Sequence, residues 1–252
     1  MSIELIDIHK SFGPKEVLKG FTLTVPEGDT VSLVGFSGSG KSVALKHVVR
    51  LLSPDSGEVR VDDQDVAALS RHELYELRRQ VGFVFQFAAL FDSMTIRENL
   101  SMGLIKQGTH TQAEIEQRIN ESLNMVELEG FEDRMPAELS GGQRKRAGLA
   151  RAIAFRPKYL LYDEPTSGLD PVTTTVIDRL ILKMKKELGV TSLVITHDMK
   201  SADRVSDRVA MLFEGRIIEE GTPDEISRSE NPIVRGFVDG EPELVEQGRL
   251  DQ

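Results

Sequence analysis

The chain has 252 residues, of which 39% are hydrophobic and 29% are charged, a composition typical of a globular protein with a substantial core. Its 31 basic and 41 acidic residues give a net charge of −10, which argues against a bulk electrostatic grip on nucleic acid or anionic lipid. Cysteine is absent, which excludes disulfides, zinc–thiolate sites and cysteine nucleophiles, and the five histidines lack the H-x-x-x-H spacing of a catalytic zinc site.

The first residues of the chain do not have the character of a secretory signal, because Glu4 and Asp7 interrupt them and no long apolar region follows. No run in the sequence approaches the roughly 20 apolar residues that a membrane helix needs. We therefore expect a soluble, cytoplasmic chain. If the protein works on a membrane, another chain must supply the span.

The first sixty residues predict strands on either side of a glycine-rich turn. Apolar and polar residues alternate up to Val25, with breaks at 13–14 and 26–28, which predicts antiparallel strands. The β-branched run at 30–35 predicts a buried strand, followed by a glycine-rich turn and a helix from Ser42 to about Leu52. Residues 58–62 alternate again and predict a further strand.

Helices dominate the next part of the sequence. Three capping boxes, in which a hydroxyl and a carboxylate satisfy the first N–H groups of a helix, pair Ser70 with Glu73, Thr111 with Glu114, and Thr222 with Glu225. Amphipathic helices are predicted over 112–127 and 173–188, the second ended by Gly189. Their apolar faces consist of Ile115, Ile119, Leu123 and Val126 in the first, and of Ile177, Leu180, Ile181, Met184 and Leu188 in the second.

Buried strands are predicted at 159–162 and 191–196, so strands and helices alternate along the chain. This alternation predicts an α/β fold with a mostly parallel sheet core, preceded by an N-terminal antiparallel β subdomain. Residues 88–150 contain helical patterns without strands and predict a helical subdomain inserted into the sheet. The polar residues 241–252 predict a mobile tail.

The glycine-rich turn matches the phosphate-binding pattern G-x-x-x-x-G-K-[ST] from Gly35 to Ser42. Glycines let backbone N–H groups curl around a phosphate, and the helix that follows points its N-terminus at the same anion. In this pattern Lys41 reaches the β- and γ-phosphates, and the Ser42 hydroxyl binds Mg²⁺. The pattern follows a predicted strand and opens a predicted helix, as phosphate binding requires.

Two carboxylates, Asp163 and Glu164, end the predicted strand at 159–162. Ligands of open α/β sheets bind at the carboxyl ends of strands. There Asp163 is placed to hold Mg²⁺ and Glu164 to polarise an attacking water, since phosphoryl transfer depends on positioning and charge neutralisation. The other interpretation is a strand end that only caps the sheet, with an extended backbone at Glu164 favoured by Pro165.

A second glycine-rich helix start, Ser140-Gly141-Gly142-Gln143, lies about a hundred residues after Lys41. Ser140 is a natural N-cap, and the two glycines leave the first helical N–H groups open to an anion. One compact subunit does not obviously bring both anion sites to one nucleotide. A two-fold dimer, in which each Ser140 completes the other copy's site, removes that difficulty.

Together these motifs resemble the ATPase subunits of ABC (ATP-binding cassette) transporters, which have a P-loop NTPase fold, over residues 1–225. The resemblance implies ATP and Mg²⁺ as cofactors and ATP hydrolysis coupled to transport. It implies catalytic roles for Lys41, Glu164 and His197, Mg²⁺ contacts from Ser42, Gln86 and Asp163, and a D-loop containing Asp170. Residues 140–143 then form the signature motif that contacts the partner copy's ATP. The implied ATP-binding residues are Phe12, Gly35, Phe36, Ser37, Gly38, Ser39, Gly40, Lys41, Ser42 and Val43.

Two of these positions depart from the usual pattern of the family. Val43 stands where threonine is usual, with no evident effect on Mg²⁺ binding by Ser42. Phe12 stands where tyrosine is usual, so that stacking on adenine is kept and a hydroxyl is lost.

Short peptides at 89–99, 168–173, 196–202 and 232–240 are similar to the Mla/Mce-type phospholipid transport ATPases. This similarity implies an ATPase homodimer on the cytoplasmic face of the inner membrane, bound through about 87–99 to two integral membrane permease subunits. It also implies a lipid-binding Mce-type protein in the complex and no nucleic acid. We expect an ATPase domain over 1–231, with the helical subdomain at about 88–150. Residues 232–252 then form a C-terminal extension, for which a dimer contact is a hypothesis.

Other functions remain open from the sequence. The same fold could serve an importer of a small polar solute such as an amino acid. It could also serve a non-transport cassette of the iron–sulfur assembly type, which is a single soluble cassette. A small-molecule kinase with a phosphate loop is a third class, but it would not explain residues 139–143.

Overall fold

The computed structural model of the protein describes residues 2–250, with side chains described up to residue 248. The strands, in chain order, are β1 (Ile3–Phe12), β2 (Lys15–Val25), β3 (Thr30–Val34), β4 (Ser56–Val61), β5 (Gln64–Asp65), β6 (Val81–Val84), β7 (Tyr159–Asp163), β8 (Thr191–Ile195), β9 (Arg208–Phe213) and β10 (Arg216–Gly221). The helices are α1 (Lys41–Val48), α2 (Arg71–Arg79), α3 (Ile96–Gln107), α4 (Gln112–Met125), α5 (Gly141–Ile153), α6 (Pro171–Leu188), α7 (Met199–Val205), α8 (Pro223–Ser227), α9 (Pro232–Asp239) and α10 (Pro242–Leu250), with a 3₁₀ turn at Pro136–Glu138.

The chain divides into two compact units. One unit runs to Leu74 and resumes at Thr191, and the other is Tyr75–Val190. The boundaries of the predicted ATPase domain, 1–231, and of the extension after it stay predictions.

An antiparallel sheet opens the first unit, in the order β2-β1-β4-β5. The alternation of the sequence explains its two faces, since Ile3, Leu5 and Ile8 of β1 are fully buried. The hairpin between β1 and β2 turns at Gly13, whose φ of +59° suits glycine. The predicted antiparallel β subdomain is thus present.

A second sheet of the first unit carries β3 between two parallel neighbours. Strand β3 pairs with β8 on one side and β9 on the other, and β10 pairs antiparallel to β9. All five residues of β3 are buried, as a short β-branched run at the centre of a parallel sheet requires. Strands β9 and β10 were not among the sequence predictions.

Helix α1 ends at Val48, earlier than the predicted Leu52. The chain leaves the helix because Arg50 takes a left-handed backbone conformation with φ of +48°. The Arg50 guanidinium donates to the carbonyls of Val66 and Leu69, which lie on the following part of the chain. A tertiary contact of this kind cannot be read from helix periodicity.

The C-terminal residues of the first unit form two helices, so the prediction of a mobile tail is wrong for Pro242–Leu250. Val245 of α10 is buried in a cluster with Ile233 and Val234 of α9. Gly236 permits this packing, because a Cβ there would lie 2.6 Å from Val245 Cγ2. Residues 251 and 252 of the predicted tail lie outside the described residues.

The second unit contains a parallel pair, β6 and β7, and the helices between them. Helices α3 and α4 and most of α5 fall within the predicted helical stretch of 88–150, and no strand interrupts that stretch in the described chain. Ile115, Ile119 and Leu123 of α4 are buried as predicted.

Helix α6 buries its predicted apolar face with one exception. Ile177, Leu180, Ile181 and Met184 are buried, whereas Leu188 is 37% exposed. Leu188 occupies the last position before Gly189, where the helix ends in a left-handed cap and turns away. Among the helices of residues 2–250, none combines the length and hydropathy required to cross a bilayer.

Candidate functional site

The phosphate loop lies between β3 and α1, as its motif requires. Gly35 has a φ of +150° and Gly40 a φ of +108°. A Cβ at Gly35 would lie 2.3 Å from the carbonyl oxygen of Leu212, and one at Gly40 would lie 2.9 Å from Val17 Cγ1. Only glycine fits these two positions, so the shape of the loop follows directly from its sequence.

Helix α1 begins without a side-chain cap, since its N-cap residue is Gly40 and no acidic residue lies in its first turn. Helices α3 to α9 all have a side-chain cap from Ser, Thr, Asp or Asn. The N-terminus of α1 therefore carries its partial positive charge toward the loop.

Lys41 and Ser39 give the loop further donors. Lys41 is 5% exposed, and its Nζ donates to the carbonyls of Gly35 at 2.7 Å and Phe36 at 2.9 Å. The ammonium group is thus held over the loop. The hydroxyl of Ser39 is buried and has no hydrogen-bond partner among the described residues. A phosphate oxygen in the cradle would satisfy it.

The side chain of Phe36, in the phosphate loop, packs against two other aromatic rings. Its ring meets Phe213 edge-on at 6.0 Å and Phe237 of α9 at 5.0 Å between centroids. This side chain therefore supports the loop instead of facing a ligand, and only its backbone is placed to serve the phosphate-binding role that the motif implies.

His197 lies at the same edge of the sheet as the phosphate loop. It follows β8, which runs parallel to β3, and it is exposed. Its neighbour Asp198 caps α7 by accepting the N–H groups of Lys200 and Ser201. The cap fixes the backbone next to His197.

Phe12 is 47% exposed at the end of β1, which leaves its ring available as a stacking platform. Asp55 holds the strand just before it: its carboxylate accepts Lys10 Nζ at 2.7 Å and the Ser11 N–H at 2.6 Å. These hydrogen bonds, that of Lys10 above all, lower the pKa of Asp55. The Lys10 ammonium lies 5.6 Å from the centre of the Phe12 ring. The sequence did not single out Asp55, because this contact joins residues 44 positions apart.

In the second unit, Asp163 ends β7 and Glu164 follows it. Glu164 has a φ of +52°, a left-handed conformation that costs a non-glycine residue about 1–3 kcal/mol. The extended backbone favoured by Pro165 is therefore wrong for this residue. Strain of this kind persists where the surrounding structure imposes it.

Gln86 lies at the same edge of the sheet, two residues beyond β6, which runs parallel to β7. Its Nε2 donates to Ser167 Oγ at 3.3 Å, and the Ser167 N–H donates to the Glu164 carbonyl at 3.2 Å. The structure thus joins Gln86 to the Asp163–Glu164 turn. The oxygens of Ser42, Asp163 and Gln86 are ligands of the type that Mg²⁺ prefers.

The Ser140 segment begins α5 with a complete capping box. Ser140 Oγ accepts the Gln143 N–H at 3.3 Å, and the Gln143 side chain accepts the Ser140 N–H at 2.8 Å. A Cβ at Gly142 would lie 2.6 Å from Thr173 Cγ2, whereas one at Gly141 would meet nothing within 4 Å. A Cβ at Gly142 would therefore have to displace the Thr173 side chain, whereas Gly141 faces open space.

A cavity of about 530 Å³ opens in front of this helix start and is lined on its other side by Asp170. The Asp170 carboxylate caps α6 by accepting the N–H groups of Val172 and Thr173, and it also accepts the Thr173 hydroxyl. The hydrogen bonds from Thr173 lower the pKa of Asp170. Its carboxylate thus has a structural role within one copy.

Lys145 of α5 is a buried residue that the sequence reasoning missed. Its Nζ donates to the Gln86 carbonyl at 2.5 Å and to the Glu164 carbonyl at 3.3 Å. Burial lowers the pKa of this lysine, and the charge of Glu164 opposes that effect. The only signal in the sequence is a lysine on the apolar side of a helix.

Comparison with known proteins identifies the family of this chain. A family model described as "ABC transporter" matches residues 18–167. The chain belongs to the ABC transporter family. A probable ribonucleotide transport ATP-binding protein, mkl of Mycobacterium tuberculosis, is 40% identical to this ABC cassette over 240 residues, which are 95% of the chain and 67% of mkl. The chloroplastic protein TRIGALACTOSYLDIACYLGLYCEROL 3 of Arabidopsis thaliana is 42% identical over 255 residues, covering 94% and 73% of the two chains.

Among solved structures, the cassette is similar to a dimer of the ATP-binding cassette MJ0796 in a post-hydrolysis state with ADP and Pi. The TM-score is 0.79 at 37% identity, over 88% of this chain and 98% of the other. This ABC cassette is therefore an ATPase and the motor of a transporter, with the P-loop NTPase fold that its motifs predict.

Proposed function

We propose that this ABC cassette moves phospholipid, by hydrolysing ATP in sites shared between two copies that act on two membrane permease subunits. The observation that carries the nucleotide site is the uncapped N-terminus of α1, with Lys41 held over the loop and a buried Ser39 hydroxyl that finds no hydrogen-bond partner within residues 2–250. These groups form a cradle for the phosphates of ATP.

In this proposal each residue of the site has a separate role in ATP hydrolysis. Lys41 supplies the counter-charge of the γ-phosphate, Glu164 takes the proton of the attacking water, and His197 contacts the γ-phosphate. Phe12 stacks on adenine, and its exposure at the end of β1 supports this role. The cassette's glycines provide the backbone N–H groups around the phosphates.

Ser42, Asp163 and Gln86 are the residues that would hold Mg²⁺. Their oxygens are hard ligands, and Nε2 of Gln86 already donates to Ser167, which leaves the amide oxygen of Gln86 to face a cation. When bound, Mg²⁺ neutralises charge on the β- and γ-phosphates.

Two copies of the chain are needed because the Ser140 segment is proposed to contact the ATP of the other copy. The cavity in front of α5 and the open space at Gly141 support this arrangement. Asp170 lies beside the same cavity and is proposed to face the dimer contact.

The segment 87–99 is proposed to bind the permease subunits. Phe87 is 87% exposed and Phe91 is 48% exposed, a large apolar surface for a water-facing loop. A groove of about 410 Å³ nearby is lined by Phe85 and Met102, among others. Through this contact the ABC cassette would be peripheral to the cytoplasmic face of the inner membrane, with a lipid-binding Mce-type protein in the same complex.

Lipid as cargo is supported by the peptides at 89–99, 168–173, 196–202 and 232–240, which are similar to Mla/Mce-type ATPases. The name of the Arabidopsis relative includes trigalactosyldiacylglycerol, which is a glycolipid. The mycobacterial relative is named as a probable ribonucleotide transporter component. That name favours the alternative of a polar-solute importer.

The cargo is tested by purifying the chain from its own membranes with its partners, then measuring ATP turnover of the reconstituted complex with candidate cargoes. We expect integral membrane proteins to co-purify and turnover to rise with phospholipid. Stimulation by a ribonucleotide or an amino acid, and not by phospholipid, would show a polar-solute transporter. Co-purification of soluble proteins alone would indicate a non-transport cassette.

A further inference from the structure

Lys145 is a charged side chain buried at 9% exposure on the second turn of α5, and the roles assigned above do not use it. Burying an ammonium group is unfavourable unless hydrogen bonds compensate it. Both of its described hydrogen bonds go to main-chain carbonyls, those of Gln86 and Glu164. The lysine thus joins two loops that are 78 residues apart in sequence to the helix that begins at Ser140.

The contacts around Lys145 form a closed ring. Lys145 donates to the Glu164 carbonyl, which also accepts the Ser167 N–H, and the Ser167 hydroxyl accepts Gln86 Nε2. The ring closes where Lys145 donates to the Gln86 carbonyl. Since Glu164 is held in a left-handed conformation, two donors on its carbonyl oxygen are the kind of restraint that such a backbone requires.

We propose that Lys145 is a positioning residue, which fixes the backbone of Glu164 and Gln86 so that their side chains are aimed at the attacking water and the metal ion. It acts through these two residues, to whose carbonyls it donates. Because Lys145 sits on the helix that begins at Ser140, a shift of that helix also displaces the two carbonyls. This inference rests on the proposed role of Glu164.

The test compares ATP turnover and ATP affinity of purified variants with the wild-type chain. Lys145→Met removes the donors and keeps the length of the side chain. We expect kcat to fall at least about tenfold, since a misplaced general base loses much of its typical 10²–10⁴-fold contribution, while KM for ATP changes less than about threefold. Lys145→Arg keeps donors at this place and should regain part of the lost kcat.

Lys183→Met is the matched control, because Lys183 also donates its Nζ to a main-chain carbonyl, that of Met125, on the same unit. We expect its kcat to stay near that of the wild type. Lys145→Leu, a shorter apolar side chain without donors, serves if Lys145→Met does not fold. An unchanged kcat in either of these two apolar variants would overturn the proposal, as would a loss of kcat that Lys145→Arg does not relieve at all.

Glu164→Gln, measured in parallel, separates this inference from the proposed function. If Glu164→Gln stops turnover and the apolar Lys145 variants keep the wild-type kcat, the positioning role is wrong and the role of Glu164 stands. If Glu164→Gln turns over ATP at the wild-type rate, the proposed role of Glu164 is itself wrong.

Discussion

Glu164 has a left-handed backbone conformation directly after the strand that ends at Asp163. A backbone held against its own preference is a common feature of functional sites. The side chain follows a buried strand, at the edge of the sheet where ligands of α/β proteins bind. These two facts agree with a catalytic role that the motif alone suggests.

Glu164→Gln and Lys41→Ala should therefore fail in different ways. Gln at 164 keeps the shape of the side chain but cannot take a proton, so ATP should bind and a dimer accumulate without turnover. Ala at 41 removes the counter-charge of the γ-phosphate, so productive ATP binding itself should be lost. Equilibrium nucleotide binding, turnover and size-exclusion chromatography with Mg²⁺ATP measure the difference. Turnover at the wild-type rate in Glu164→Gln would contradict the assignment.

His47 is the residue for which a pH effect on stability is expected. It is 1% exposed on α1, its Nδ1 lies 2.7 Å from the Val43 carbonyl oxygen, and burial lowers its pKa below the ordinary value of 6.5. The charges of Lys10 and Asp55 have smaller and opposite effects on it. In the unfolded chain the imidazole takes up a proton at a higher pH than in the folded chain.

The free energy of unfolding should therefore be fully retained above pH 6.5 and should fall as the pH drops from 6.5 toward the lowered pKa of folded His47. Urea unfolding at a series of pH values measures this slope. His47→Gln should reduce this slope. As a control, His72→Gln, at an exposed position on α2, should leave the slope unchanged. Parallel pH profiles for the wild type and His47→Gln would contradict the prediction.

The N-termini of the helices in this fold are of two kinds: some are capped by side chains, and others are open to a ligand. Helices α3, α4 and α8 begin with capping boxes, in which side chains of the helix start itself accept its first N–H groups. Helix α1 has no such cap and therefore leaves its N-terminus to a ligand. Helix α5 has the capping box of Ser140 and Gln143, and also an open face at Gly141.

Substitution of Ser140 tests whether that open face meets ATP. Ser140→Arg should stop turnover with the phosphate loop intact, because a long side chain would fill the cavity of about 530 Å³ in front of α5. Ser140→Ala is the control, since it removes the cap at a cost of about 0.5–2 kcal/mol without filling the cavity. Residual turnover should be higher in Ser140→Ala than in Ser140→Arg.

Mixing then tests whether the site is shared. A dimer of Ser140→Arg with Lys41→Ala contains one site built from an intact phosphate loop and an intact Ser140 segment. Turnover should reappear in the mixture, although each variant alone is inactive. If exchange of subunits is confirmed and the mixture stays inactive, the sites are not shared.

At the scale of the whole chain, the C-terminal helices belong to the core of the first unit. Ile233 and Val234 are buried in the cluster that contains Val34 at the end of β3, and Phe237 contacts Phe36 of the phosphate loop. A dimer contact by residues 232–252 stays a prediction. Within one copy, these helices support the loop.

Truncation after Asn231 should therefore reduce stability as well as ATP affinity. Loss of three buried side chains, Ile233, Val234 and Val245, corresponds to about 1.5–3 kcal/mol each as an upper estimate. Thermal unfolding of the truncated chain should show a lowered Tm, and Phe237→Ala, which leaves both helices in place, should weaken ATP binding with a smaller loss of stability. A truncated chain with unchanged Tm and ATP affinity would contradict this supporting role of the helices.

The sequence by itself determined the phosphate loop, the acidic strand end, the Ser140 helix start and the α/β alternation, because these depend on local rules. Glycine conformations, hydroxyl caps and side-chain periodicity act over a few residues. The left-handed Glu164, the end of α1 at Arg50, the Asp55 contact near Phe12 and the buried Lys145 were decided only by the tertiary structure. Each depends on groups that are distant along the chain, and their energies become favourable only once the chain has folded and brought them together.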